Sequence, residues 1–368
     1  MYIYYTSPGP RNVVVYLLFL SFDLLISSTL MDKVEKRRNP MLRRLLAALL
    51  MLALSASLAA ATASARSSET RLSLVGYAVP REALGAVIKA WQQTPDGRDV
   101  SFTQSYGASG DQARAVAAGL RADIVQLSTG LDVELLVRAG LVDSKWNRQA
   151  ARGIATNSIV VFAVRDGNPK KIRNWSDLVK PGVGIVTPNP QSSGAAKWNV
   201  LAAFGAQRRL GKTERQATAF VEKLFRNVVS LDTSGRNATN SFLAGKGDVF
   251  LTYENEARLA KLQYVIPRQT LLIEAPIAVL ETSDNRDVAN RFVRFTKSAT
   301  AQRIFAQHGF RPLVRSVYKE FEKQYPRRPG VFEIDDGYLG GWLAVDRKWF
   351  DPDRGIWSGI ARRASLGS

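Results

Sequence analysis

The chain has 368 residues, 46% of them hydrophobic and 23% charged, enough apolar material for a sizeable core and too much for a disordered chain. It carries no cysteine, which excludes a disulfide framework, a zinc–thiolate cluster and a lipid-anchored cysteine. Lysine and arginine outnumber acids 51 to 32, and a net charge of +19 suits nucleic acid, a membrane surface or small anions. The basic residues are mostly scattered, as on a solvated surface, and only Lys33 to Arg44 forms a dense cluster.

That cluster reads as part of an export signal. Met41-Leu42-Arg43-Arg44 opens a basic region, Leu45 to Ala60 is apolar and small, and Ala63-Ser64-Ala65 fits the small-x-small cleavage rule. The apolar run is short against the about 20 residues of a permanent span. Cleavage after Ala65 is expected, with the mature protein in the periplasm; an uncleaved N-terminus would tether it to the membrane instead. Upstream, Val13 to Leu30 is apolar but carries Asp23. It reads either as a first transmembrane helix or, preferably, as an over-extended start, with translation beginning at Met31 or Met41.

From there strand and helix patterns alternate. Arg71 to Tyr77 alternates toward Leu72, Leu74 and Val75, while Ala83, Leu84, Val87, Ile88 and Trp91 repeat at helical spacing. Val100 to Thr103 and Ile124 to Leu127 are predicted strands with a helix over Asp111 to Leu120 between them. Asp132 to Arg138 is a helix ended by Gly140. This order argues for a largely parallel sheet with helices on both faces. Ser158 to Val164 is a buried strand, and after the loop Gly167-Asn168-Pro169-Lys170 a second series begins. It comprises a helix near Trp175 to Val179, strand Gly184 to Thr187, a helix from Ala195, strand Val228 to Leu231, a helix near Asn237 to Leu243, and strand Asp248 to Tyr253. Ile277 to Leu280 returns as a strand, and Val288 to Lys297 and Ala299 to His308 are helices.

Two α/β series without a long linker point to two lobes with a cleft between them. The expected boundaries are 1–65 for the extension and signal, 66–158 for the first part of lobe 1, 159–254 for lobe 2, and 255–368 for the return to lobe 1 and the C-terminal helices. Ser158 to Val164 and Asp248 to Tyr253 are the expected hinge strands.

Three Ser/Gly turns lie between a strand and a helix: Tyr106-Gly107-Ala108-Ser109-Gly110, Pro188-Asn189-Pro190-Gln191-Ser192-Ser193-Gly194-Ala195, and Thr233-Ser234-Gly235-Arg236. A helix N-terminus offers free amides and a favourable dipole end to an oxyanion, and small residues let the anion reach the backbone. Each turn alone reads equally well as an ordinary cap. Three of them at equivalent places in a two-lobed α/β chain point to anion binding, since ligands of such folds sit beyond the strand C-termini.

On these residues the chain resembles the sulfate and thiosulfate-binding proteins of bacterial ABC importers, from about Leu72 to Trp342. The matching segments are Tyr106 to Gly110, Val164-Arg165-Asp166-Gly167-Asn168-Pro169-Lys170, Lys180-Pro181-Gly182, Thr187 to Asn199, Glu254-Asn255-Glu256-Ala257 and Gly340-Gly341-Trp342. The resemblance implies a two-lobed periplasmic-binding fold of type II, each lobe a mixed, mostly parallel sheet flanked by helices, closing on a dehydrated dianion in the interlobe cleft. It implies a site of neutral donors: the Ser109 and Ser193 hydroxyls and the amides of Ala78, Gly194, Ala195 and Gly235. The family's indole donor is replaced by Tyr253, a phenol of different reach. Sulfate or thiosulfate is the implied ligand, an ABC permease the implied partner, and a monomer without cofactor, metal or nucleic acid the implied state.

Other chemistry is poorly supplied. His308 is the single histidine and sits at a helix end, so Ser-His-Asp and Cys-His systems have no base. Ser316-Val317-Tyr318-Lys319 matches S-x-x-K without its companion motifs. Asp335-Asp336 and Glu254/Glu256 read as solvated or capping acids rather than metal ligands. Asp111 is expected to cap its helix or pair with a base; an acceptor at that place would instead favour a protonated oxyanion such as phosphate. A binding protein for molybdate, tungstate or phosphate is the alternative reading, and an α/β hydrolase-like enzyme a more distant one.

Overall fold

In the computed structural model, residues 70–148 and 150–364 are described, so the signal segment and the cleavage position at Ala65 lie outside the described residues. The alternating apolar residues of the first strand become β1 (Thr70–Tyr77), and α1 (Arg81–Trp91) buries Ala83, Leu84, Val87, Ile88 and Trp91, the five positions of its predicted stripe. β2 (Val100–Gly107), α2 (Ser109–Ala117), β3 (Ile124–Gln126) and α3 (Gly130–Arg138) complete the first series. The second runs through β4 (Ile154–Val164), β5 (Ile185–Pro188), α4 (Gly194–Arg209), α5 (Glu214–Phe225), β6 (Val228–Asp232), α6 (Gly235–Leu243), β7 (Val249–Tyr253) and α7 (Glu254–Leu259). The chain then passes β8 (Tyr264–Val265), β9 (Thr270–Val279), α8 (Arg286–Phe295), α9 (Ala299–Gln307) and α10 (Arg315–Glu320). It ends in β10 (Val331–Phe332), α11 (Gly341–Val345) and α12 (Ile356–Arg363). Trp175–Val179, expected as a helix, is a 3-10 turn closed at its start by a reciprocal Asn174/Asp177 capping box.

The strand order is β2-β1-β3-β9-β4-β7-β5-β6. β1 lies parallel to β2 and β3, and β5 parallel to β6 and β7, so each series builds its own parallel group. Antiparallel β9 and β4 join the groups. β9 pairs with β3 over Ile277 to Val279 and with β4 over Leu272 to Pro276. β4 pairs with β9 over Ile154 to Ile159 and with β7 over Val160 to Val164. These two strands are therefore the crossings between lobes. The expectation that Asp248 to Tyr253 is the second crossing is corrected: β7 stays within one group, bonded to β4 and β5. Only the end of β9 was legible in the sequence, because Glu274 and Pro276 interrupt its apolar run.

Central position explains composition. Ile159 to Val164 is buried on both faces of β4, which is why it reads as an unbroken apolar run rather than an alternation. α4 is buried over almost its whole length and is rich in alanine and glycine, which allows close approach: a Cβ at Gly205 would lie 2.3 Å from the Phe332 ring. The C-terminal segment packs back onto α4 and α5 through edge-on aromatic pairs, Trp349 on Phe204, Trp357 on Phe225 and Trp342 on Trp198, each with centroids 4.7 Å apart. Among the described residues no helix is long and apolar enough to cross a membrane.

Candidate functional site

The parallel strands of both groups deliver their C-terminal ends to helix N-termini along the line where the groups meet. The three predicted turns open α2, α4 and α6, at Ser109, Gly194 and Gly235. A fourth turn, Leu127-Ser128-Thr129-Gly130, opens α3 and carries the same Ser/Gly signal, which the sequence reading passed over.

The turns touch one another across the two groups. The Gly110 amide donates to the Ser192 carbonyl at 3.0 Å, and Ser192 Oγ donates to the Thr233 carbonyl at 2.7 Å. A Cβ at Gly194 would stand 2.6 Å from Ser128 Cβ and Oγ, and one at Gly235 would stand 3.4 Å from Ala195 Cβ and 3.3 Å from Val79. Glycine at 194 is thus dictated by the approach of Ser128, not by backbone strain. Tyr253, 1% exposed, ends β7 with its phenol 2.7 Å from Ser128 Oγ. Ser128 is the hub of the cluster: its amide donates to Ser109 Oγ at 2.8 Å, and its carbonyl accepts the Trp198 indole N–H at 2.8 Å.

Donor availability divides the expected residues. Ser193 is the N-cap of α4 yet makes no side-chain cap, whereas Thr129 and Ser234 cap the Asp132 and Asn237 amides. Its hydroxyl is not spent on the cap, and the amides of Gly194, Ala195 and Gly235 belong to first turns that have no carbonyl one turn back. Two of the expected donors hold partners within the chain. The Ala78 amide donates to the Gly107 carbonyl at 2.9 Å, continuing the β1–β2 ladder. The Ser109 hydroxyl donates to Asp132 Oδ2 at 2.6 Å, because Asp132, 3% exposed, needs donors to be buried. Asp132 also meets Lys197 Nζ at 3.3 Å, and neither residue was singled out in the sequence.

Charges near the cluster are paired off. Arg236, next to Gly235, bonds Glu82 at 2.8 and 3.0 Å and Glu256 at 3.0 and 3.2 Å. Its hydrogen bond holds the Glu82 carboxyl below its ordinary value, while burial pushes Glu256 up against the pull of Arg236. Glu254 and Glu256, expected as solvated or capping acids, lie in the first turn of α7 but are buried rather than solvated, Glu254 in an ion pair with Arg311 at 2.7 Å. Burial also raises the Tyr253 phenol well above its usual value, so it stays neutral. Asp111 is exposed and pairs with Arg114. His308 caps the end of α9 with Nδ1 2.8 Å from the Ile304 carbonyl, and Ser316 and Lys319 are exposed on α10. Among the described residues no group of three or more metal-ligating side chains is assembled.

The model of the bacterial extracellular solute-binding protein family matches residues 72–311. The sulfate-binding protein of Synechococcus elongatus is 40% identical over 301 residues, covering 76% of this chain and 85% of the relative. The thiosulfate-binding protein of Pseudomonas aeruginosa is 33% identical over 293 residues, covering 75% and 88%. Among solved structures, the sulfate-binding protein SubI from Mycobacterium tuberculosis H37Rv superposes with a TM-score of 0.74 at 43% identity, covering 77% of this chain and 100% of that one. The architecture is the two-lobed, type II periplasmic-binding fold. The chain belongs to the sulfate- and thiosulfate-binding proteins within the bacterial extracellular solute-binding family.

Proposed function

We propose that this protein is an extracytoplasmic substrate-binding protein that captures sulfate or thiosulfate between its lobes and delivers it to an ABC-type import permease. The observation that carries the reading is the buried cluster at the lobe junction. There the Ser193 hydroxyl and the first-turn amides of Gly194, Ala195 and Gly235 converge, while the nearby charges of Lys197, Arg236, Asp132, Glu82 and Glu256 are taken up by one another. Neutral donors suit a fully ionised dianion, which offers acceptors on every side and no proton. Tyr253 belongs to the same wall. Ala78 and Ser109 would face the anion on releasing Gly107 and Asp132.

The remaining assignments follow from this reading. The protein acts without catalysis or cofactor, as a monomer, in the periplasm after cleavage of its signal. Residues 66–158 with part of 255–368 form the first lobe and 159–254 the second, with β9 as the returning crossing. Calorimetric titration of the purified protein with sulfate, thiosulfate, molybdate and phosphate tests it. Sulfate or thiosulfate should bind at least tenfold more tightly than phosphate, whose proton would meet donors only. Phosphate or molybdate binding equal to sulfate would reassign the ligand.

A further inference from the structure

Ser128 and Tyr253 face each other from opposite lobes, Ser128 after β3 and Tyr253 at the end of β7, each 1% exposed. Their oxygens are 2.7 Å apart, and neither hydroxyl has another partner among the described residues. Two hydroxyls carry two protons, and one contact uses one of them. Whichever oxygen donates, one O–H is left over in a buried place, an arrangement that is unfavourable unless something accepts it. When the phenol donates, the spare proton is the serine's and lies beside the first turn of α4, since a Cβ at Gly194 would fall 2.6 Å from Ser128 Oγ.

We infer that Ser128 is an anion-donating residue and that Tyr253 acts behind it as a positioning residue. The inference rests on the anion-binding reading above and assigns one of its donors. The phenol remains neutral in its buried setting and so keeps its proton; in this assignment it donates to Ser128 Oγ and turns the serine proton toward the anion beside Gly194. The Ser128 amide and carbonyl are held by Ser109 and Trp198, which leaves the side chain as its one adjustable group. Because the two residues come from different lobes, this donor is complete only when the lobes meet.

Titration of the full-length protein and its variants with sulfate tests the order of roles, with ligand-free melting temperatures as the control for folding. Ser128→Ala should weaken sulfate binding about ten- to a hundredfold, as for loss of a hydrogen bond to a charged group. Tyr253→Phe should weaken it less, about three- to tenfold, since the serine keeps its proton and loses only its orientation. The double variant should bind like Ser128→Ala alone, which a merely structural role of Tyr253 would not produce. Ser128→Cys, similar in size with a weaker donor, carries the same comparison if the alanine variant fails to fold. A larger loss for Tyr253→Phe than for Ser128→Ala, or unchanged binding in Ser128→Ala, overturns the assignment. Should the wild-type protein not bind sulfate at all, the underlying function fails; should Ser193→Ala lose affinity while Ser128→Ala does not, this inference alone fails.

Discussion

Ser193 caps α4 without using its side chain for the cap, which leaves its hydroxyl available to a ligand. Removing it as Ser193→Ala should weaken sulfate binding by about 1.5–3 kcal/mol, roughly ten- to a hundredfold, with an unchanged melting temperature, as read by titration calorimetry. Glu82 offers a pH-dependent prediction. Its bond to Arg236 joins α1 to α6 across the lobes and lowers its carboxyl from an ordinary value near 4.5. A lowered folded value means the contribution is full above pH 4.5 and fades as pH falls through the lowered value. Glu82→Gln should therefore weaken sulfate binding about two- to fivefold at pH 7, the worth of a half-exposed pair, and approach the wild type as pH falls through that lowered value. A constant ratio across that range would show that the pair does not aid closure. Ser193 was legible because Ser-Ser-Gly precedes a helix pattern; Asp132, Lys197 and Ser128 were not, since their partners lie on other turns far along the chain.

Helix α4 shows what an element demands beyond its periodicity. It is buried nearly all round, and its glycine and alanine content lets Phe332 and the C-terminal tryptophans come close. Gly205→Val would drive a branched side chain into the Phe332 ring, where even a Cβ stands 2.3 Å away. Overpacking of this kind costs about 1–3 kcal/mol, so the melting temperature should fall by several degrees in thermal unfolding followed by circular dichroism. An unshifted midpoint would mean that β10 yields without loss. The helix was readable from its Ser/Gly opening, but its depth was not, because a helix apolar on most sides looks the same whether a sheet, another helix or the chain's own terminus covers it. β9 was half hidden for a different reason: Pro276 and Glu274 sit inside it, tolerated where the strand passes between two partial partners.

At the scale of the whole molecule, β4 and β9 are the two strands shared between the parallel groups, and few dihedrals in them can absorb a relative motion of the lobes. Ser128 and Asp132 on one side meet Gly194, Lys197, Trp198 and Tyr253 on the other, so the contacts form a closed arrangement. Binding that requires donors from both sides should shift the population toward this form. Small-angle scattering of the protein should show a smaller radius of gyration with saturating sulfate than without it. An unchanged radius would place the ligand within a single lobe.

The sequence by itself determined the α/β class, most strands and helices, and three of the four turns that open toward the lobe junction. These are local matters: periodicity, caps and small residues act within one or two turns of chain. Only the tertiary structure decided that β9, not β7, is the second crossing beside β4, and that Ala78 and Ser109 already hold partners in Gly107 and Asp132. It alone also set Ser128 against Tyr253, 125 residues apart. Hydrogen-bond capacity is finite, and how it is allotted depends on neighbours that folding brings together rather than on the residues that precede or follow.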